Sequence, residues 1–228
     1  MEYAPIGVFA LLAGLIVDLA GDDPNNIITT LTPLLYYALT VIIGLAFMVF
    51  IFYPFIIYSI TGITFRKFLK AIFPAQMLAF STSSSAATLP LTMKRVEKNL
   101  NVSDEVTSFV CPLGATINMD GTSIHQAISA VFIAQAFGQD LTLVDQLAIV
   151  LTATLSSIGA AAVPGAGLIM LVIVLGAIGI DPQGLALIIA IDRPLDMLRT
   201  VVNVTGDATV ASIVASSEGE KVKFKEDE

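Results

Sequence analysis

The sequence predicts an all-α membrane protein, with transmembrane helices plus two oppositely oriented re-entrant helical hairpins that form an inverted repeat. Three observations lead there. Of the 228 residues 56% are hydrophobic and 13% charged, with a mean hydropathy of +0.86, which is more apolar surface than a soluble domain of this size can hide. Four apolar stretches, Pro5 to Ala20, Ile27 to Ile60, Leu141 to Ile180 and Leu185 to Val214, are on the scale of the ~20 residues a helix needs to cross a bilayer. Apart from Arg193 and Arg199, every Lys and Arg falls in one of three clusters: Arg66, Lys67 and Lys70; Lys94, Arg95 and Lys98; and Lys221, Lys223 and Lys225.

By the positive-inside rule the three clusters are cytoplasmic, whereas the loops at Asp22-Asp23, at Asp140 and Asp145, and at Asp181 lack Lys and Arg and lie outside. Residues 1–60 read as two transmembrane helices, one running outward (Met1 to Ala20) and one inward (Ile27 to Ile60). No basic segment with a cleavage site opens the chain, so no signal peptide is expected. It opens inside an apolar stretch, and Met1 reads as an internal methionine of a longer protein whose N-terminal helices come before it.

Residues 61–215 read as the core. Its first hairpin, about 66–98, has a basic cluster on each flank and must return to the side it came from. The centre, Ser81-Thr82-Ser83-Ser84-Ser85 followed by Ala86-Ala87-Thr88-Leu89-Pro90, is poor helix and good turn. A broken outward helix follows at about 103–137. The second hairpin, about 141–179, has acidic flanks and breaks at Gly159-Ala160-Ala161-Ala162-Val163-Pro164-Gly165-Ala166-Gly167. The last helix, about 182–215, runs inward, and 216–228 is a cytoplasmic tail of mixed charge without expected structure. Hairpin plus helix thus occurs twice in opposite orientations, the pattern of secondary transporters whose site lies where the repeats meet. Unpaired tip backbone would cost several kcal/mol per group in lipid, so the tips must line a polar cavity.

The outward helix is apolar from Val110 to Ala134 except around Gly114-Ala115-Thr116-Ile117-Asn118-Met119-Asp120-Gly121-Thr122. An ionised Asp at a helix centre costs roughly 2.5–3.5 kcal/mol on insertion scales, so Asp120 needs a partner. The glycines and Asn118 suggest local unwinding that frees carbonyls, and such oxygens with a carboxylate and an amide suit a hard cation such as Na⁺. A structural Asp that pairs with Arg or caps a broken helix is the plainer reading. In the last helix Asp192, Asp196, Arg199 and Asn203 recur at spacings of three and four on one face, which Thr200 and Asp207 extend. That face offers a carboxylate for an ammonium group, a guanidinium for a carboxylate, and amide and hydroxyl groups for a second carboxylate. Aspartate or glutamate fits it. The competing reading is an Asp196/Arg199 pair that neutralises itself, which leaves Asn203 and Asp207 unexplained.

Other features carry less. Serines at a hairpin tip can be turn formers, yet their hydroxyls and helix N-terminal amides also attract carboxylates. His125, the only histidine, reads as a satisfied interior residue rather than a proton relay, and the single cysteine, Cys111, as a small buried hydrophobe. The net charge of −8 and the lack of a basic-aromatic surface exclude a nucleic-acid partner.

These motifs resemble the dicarboxylate/amino acid:cation symporter family, the glutamate transporter family, over almost the whole chain. The matches are Ser83-Ser84-Ser85 leading to Thr88-Leu89-Pro90, Asn118-Met119-Asp120-Gly121-Thr122, Val163-Pro164-Gly165-Ala166-Gly167, and Asp196-Met197-Leu198-Arg199-Thr200 continuing to Asn203-Val204-Thr205-Gly206-Asp207. The resemblance implies that Asp196 holds the substrate amino group, Arg199 and Thr122 its side-chain carboxylate, and Asn203 with Ser85 its main-chain carboxylate. Thr200, the carbonyls of Ser83 and Val163, and the tip residues Ser84 and Gly167 complete the pocket. It implies one sodium site at the carbonyls of Gly114, Asn118 and Asn203 with the Asp207 carboxylate. A second would use the carbonyls of Thr116, Ser157, Ile158 and Ala160, and a third Asn118 and Asp120 with residues of a helix absent from the chain. It also implies an outer hairpin acting as gate, an elevator-type movement of a transport domain against a trimeric scaffold, and a multi-pass location in the plasma membrane. No cofactor is implied beyond sodium as coupling ion. The chain departs from the family at Ser83 and Met197, where archaeal and animal members respectively carry an arginine, and at Gln126, where animal members have a glutamate linked to proton coupling. No such proton step is expected.

The expected function is sodium:acidic amino acid symport. Alternatives are a C4-dicarboxylate or neutral amino acid symporter of the same family, an intramembrane aspartyl protease, and a channel-like membrane protein. Asp196 opposes the dicarboxylate, which has no amino group to meet a buried carboxylate. The protease's Gly-x-Gly-Asp pattern would need glycine at Val204, so an enzyme is not expected.

Overall fold

A computed structural model describes residues 25–226, all helix, turn and loop within that range. The expected helix from Met1 to Ala20 lies outside the described residues. Helix α1 (Asn25–Phe47) runs into a π-helical turn, Met48–Phe52, and on into α2 (Tyr53–Thr61). The widening has a local cause. Pro54 has no N–H to give the turn before it, and the Tyr53 N–H reaches back to the Met48 carbonyl. Leu31–Thr61 is long and apolar enough to cross a membrane.

Helix α3 (Phe65–Thr82) ends at Ser83, whose φ of 52° is left-handed, and α4 (Ser85–Leu100) begins at once, capped by the Ser84 hydroxyl on the Ala87 N–H. The turn is therefore only Ser83-Ser84, and the run to Pro90 that reads as non-helical is helix. Helix α5 (Asp104–Ile117) starts at the N-cap Ser103 with Asp104 and Glu105 in its first turn, where acids favour the dipole. It stops at Asn118-Met119, and α6 (Asp120–Ala136) resumes the path. Helix α7 (Leu143–Ile158) opens with a capping box between Thr142 and Asp145. Its hydrogen bonds from the Thr142 hydroxyl and N–H hold the Asp145 carboxyl below its usual range. After the loop 159–165 come α8 (Ala166–Ala177), a 3-10 segment (Pro182–Leu187) and α9 (Ile189–Ser217).

Helices α3 and α4 pack on each other, as do α7 and α8, and α9 packs against α1 to α6 and α8. From Val202 to Thr209 every residue is buried, so α9 is a central post rather than an amphipathic surface helix. One apolar cluster joins α1, α6, α7, α8 and the first half of α9, and a second joins α2 to α5 with the last turns of α9. The polar run Asp196 to Asp207 lies where they meet. The molecule is inside out. Phe55, Leu143, Val144 and Ile169 are over 70% exposed, while Arg199, His125, Gln126 and Asp207 are at most 1% exposed, the reverse of a water-soluble core.

The tail is tied down. Lys223 and Lys225 donate backbone bonds to the Leu100 and Asn99 carbonyls (2.9 and 2.8 Å), and Glu220 accepts from the Ser103 N–H and hydroxyl (2.8 and 2.6 Å). Val222 is buried against the second cluster, and Lys70 bonds Glu226, holding its carboxyl below the usual range. The sequence offers no expectation of structure here, because each of these anchors lies about 100 residues or more away along the chain.

Candidate substrate and cation site

Two carboxylates and a guanidinium of α9 form the centre. Asp196 and Arg199 stand one helical turn apart, and Nη2 donates to Oδ1 at 2.7 Å, with Asp192 Oδ1 3.3 Å from the same nitrogen. The self-neutralising pair of the plainer reading is thus present. It has further partners. The Gly165 N–H of the second tip donates to Asp196 Oδ2 at 3.0 Å, and Arg193 Nη1 lies 3.5 Å from that oxygen. Gly167 is packed so closely that a Cβ there would stand 2.9 Å from Thr122 Cγ2 and 3.1 Å from Arg199 Nη1. The second tip therefore sits directly on Asp196, Arg199 and Thr122.

The break in the outward helix is filled from α9. Asn203 accepts from the Gly121 N–H at 2.8 Å, and its Nδ2 reaches Thr122 Oγ1 at 3.3 Å and Met119 Sδ at 3.2 Å. Asn118 Nδ2 donates to Asp207 Oδ1 at 3.0 Å and lies 3.4 Å from the Asn203 carbonyl. Glycine makes this approach possible. A Cβ on Gly114 would come within 2.6 Å of Asp207 Oδ1, and one on Gly206 within 2.5 Å of Asn118 Nδ2 and 2.7 Å of the Tyr53 hydroxyl. Asp120 has its partner in that hydroxyl, which donates to Oδ2 at 2.6 Å.

The tips touch. The Ser84 hydroxyl donates to the Ala162 carbonyl at 2.7 Å, with the Ala86 N–H 3.4 Å from the same oxygen. Ser83, Ser84 and Ser85 are all buried. Gln126 braces the second tip from below, donating to the Gly167 carbonyl at 2.9 Å and accepting from Ser156 Oγ at 2.7 Å. A carboxamide does both jobs without a proton, which a carboxylate could not.

Of the residues expected to bind substrate, Thr122, Gly167, Asp196, Arg199 and Asn203 share this neighbourhood and Ser84 joins the tips. Thr200 instead bonds the Asp196 carbonyl of its own helix (2.9 Å), and Val163 is half exposed. Of the cation ligands, Gly114, Asn118, Asn203 and Asp207 converge, and Asp120 stands beside them through Tyr53. Thr116 turns its hydroxyl to Leu113 (2.8 Å), and the Ser157 carbonyl accepts from the Ala160 N–H (3.1 Å). Their two helices pack together, but among the described residues no hydrogen bond joins Thr116 to Ser157, Ile158 or Ala160. One partner escaped the sequence reading, Tyr53, whose only signal was a polar atom in an apolar run. His125, expected as a satisfied interior residue, lies 2.6 Å from Arg199.

An inside-out helical fold with ionisable side chains gathered at its centre defines an integral membrane protein built around a polar interior site. Residues 1–217 match the sodium:dicarboxylate symporter family, and the chain belongs to it. It is 44% identical over 214 residues to an excitatory amino acid transporter of Caenorhabditis elegans, covering 94% of this chain and 42% of that protein. It is 45% identical to excitatory amino acid transporter 1 of Ambystoma tigrinum (94% and 38%) and 44% identical to that of Homo sapiens (94% and 39%). The chain thus spans about two fifths of the length of these curated relatives.

Proposed function

We propose that the protein is a secondary active transporter that carries an acidic amino acid, glutamate or aspartate, across the plasma membrane together with sodium ions. The observation that carries this reading is the Asp196–Arg199 pair beneath the second tip. A ligand bearing both an ammonium and an extra carboxylate replaces each half of that pair with itself, leaving neither Asp196 nor Arg199 unmatched. Asp196 takes the ammonium, Arg199 with Thr122 the side-chain carboxylate, and Asn203 with Ser85 the main-chain carboxylate. The names of the relatives support the same substrate class.

Sodium ions are the co-transported cargo. Asp207 with the carbonyls of Gly114, Asn118 and Asn203 holds one, Asp120 with Asn118 another, and the carbonyls of Thr116, Ser157, Ile158 and Ala160 a third. The apolar helices Leu143–Ile158 and Ala166–Ala177 are too short to cross a bilayer singly, which supports reading α7 with α8 as a re-entrant hairpin, and the basic cluster at each end of α3 with α4 supports reading that pair as the opposed hairpin of an inverted repeat. In this reading the second hairpin is the gate and the unit moves elevator-fashion within a homotrimer. The test is binding of aspartate or glutamate by the full-length protein in sodium, potassium and choline media. Binding that requires sodium is expected, and equal binding in all three ends the coupling claim.

A further inference from the structure

His125 sits behind Arg199, fully buried, and the mechanism above leaves it without a task. Its Nδ1 is 2.6 Å from Arg199 Nη1. A guanidinium only donates, so Nδ1 must be the accepting, unprotonated nitrogen, and the ring proton lies on Nε2. That side is also occupied. Nε2 is 2.9 Å from the Tyr37 hydroxyl and 3.4 Å from Ser129 Oγ, and Tyr37 and Ser129 are 2.8 Å apart. Asp192 Oδ1 lies 3.5 Å from Nε2. The imidazole is thus wedged between α1 and α9 with a donor on one edge and acceptors on the other, and it cannot flip without losing both.

We propose that His125 is the positioning residue of the substrate-binding arginine, and that the acceptor its unprotonated Nδ1 offers to Arg199 sets the affinity for acidic substrates. This rests on the role given to Arg199 under the proposed function. When a substrate ammonium takes Asp196, Arg199 loses its nearest partner. What then keeps Nη1 aimed beneath Gly167 is His125, with Asp192 holding Nη2. The charged and titratable groups facing the ring are Tyr37 from α1 and Asp192 and Arg199 from α9. Among the described residues α7, α8 and the 3-10 segment bring no charged side chain within bonding range. A side chain without an acceptor at the place of Nδ1 therefore leaves Nη1 with nothing to hold it there. Because the ring lies behind the guanidinium, its effect reaches the substrate through the placement of Arg199.

The experiment measures aspartate affinity of the full-length protein in proteoliposomes. Wild type is compared with His125→Asn, whose carboxamide oxygen stands near Nδ1 and cannot be protonated, and with His125→Leu, which offers no acceptor. The asparagine variant is expected to stay within about threefold of wild type, and the leucine variant to lose roughly tenfold or more. An asparagine variant as weak as the leucine one, or a leucine variant with wild-type affinity, overturns the proposal. Should His125→Leu fail to fold, the affinity of the asparagine variant alone decides. Wild type that binds no acidic amino acid defeats the proposed function itself, an outcome separate from wild type that binds but ignores His125.

Discussion

The Tyr53 hydroxyl and the Asp120 carboxylate meet at 2.6 Å across 67 residues of chain. Tyr53 follows directly on the π-helical turn at Met48–Phe52 and opens α2. Through it an acid in an apolar helix gains a donor, and the acid then shares a neighbourhood with Gly206, Asn118 and Asp207.

Tyr53→Phe removes that donor and leaves the rest of the ring. A hydrogen bond to a charged group contributes about 1.5–3 kcal/mol, so a lower thermal midpoint is expected, with a higher sodium concentration for half-maximal aspartate binding. Wild-type values for both would show that Asp120 does not depend on the tyrosine.

Gly206→Ala drives a methyl into Asn118 Nδ2 and the Tyr53 hydroxyl. Overpacking of this kind costs about 1–3 kcal/mol, and here the strain falls on proposed cation ligands. Loss of sodium-stimulated binding is the expected result, measured beside Gly176→Ala, where a methyl meets nothing within 4 Å, as a control for the general effect of a glycine replacement.

Arg199→Cys leaves Asp196 and Asp192 without their shared cation. Breaking a buried pair costs about 3–5 kcal/mol; the ammonium of any amino acid partly restores the balance at Asp196, but the side-chain carboxylate of an acidic one then meets no cation. Competition binding is expected to show selectivity shifting from acidic toward neutral amino acids, and unchanged selectivity would remove Arg199 from its role.

Ser84→Ala deletes the cap of α4 and the link to the Ala162 carbonyl together. Loss of an N-cap costs about 1 kcal/mol. Faster hydrogen exchange in residues 159–165 is expected as well as in the first turn of α4, since the second tip loses its hold on the first.

The tail should release with acid. Glu226 has its carboxyl held low by Lys70, so its contribution is present above the ordinary carboxylate range and disappears as pH falls through the lowered value. Hydrogen exchange at Lys223 and Lys225 is expected to quicken there, and Glu220→Gln should produce the same loss of protection at neutral pH.

Much of this architecture was legible because lipid is an unforgiving solvent. An acid, an asparagine and glycines inside an apolar run can only mean a broken helix around a polar interior, and α5 does break at Asn118-Met119. The first turn was read too wide, since Ser85 to Pro90 are weak helix formers that the Ser84 cap and packing against α3 and α9 nevertheless hold in a helix. Asp196 and Arg199 were visible as a pair because three residues of helix bring them together. His125 was taken as a satisfied interior residue, which it is, but nothing in its neighbours along the chain named Arg199 as its partner.

From the sequence alone came the solvent, the all-helical character of the described residues, the break at Asn118-Met119, and which ionisable groups must be sheltered. These depend on composition and on spacings within a few residues. Only the tertiary structure decided that Tyr53 serves Asp120, that Asn118 serves Asp207, that the first tip bonds the second, and that the tail is docked. Hydrogen bonds act over about 3 Å and within narrow angles, so each partner is chosen by how helices distant in sequence pack and rotate against one another.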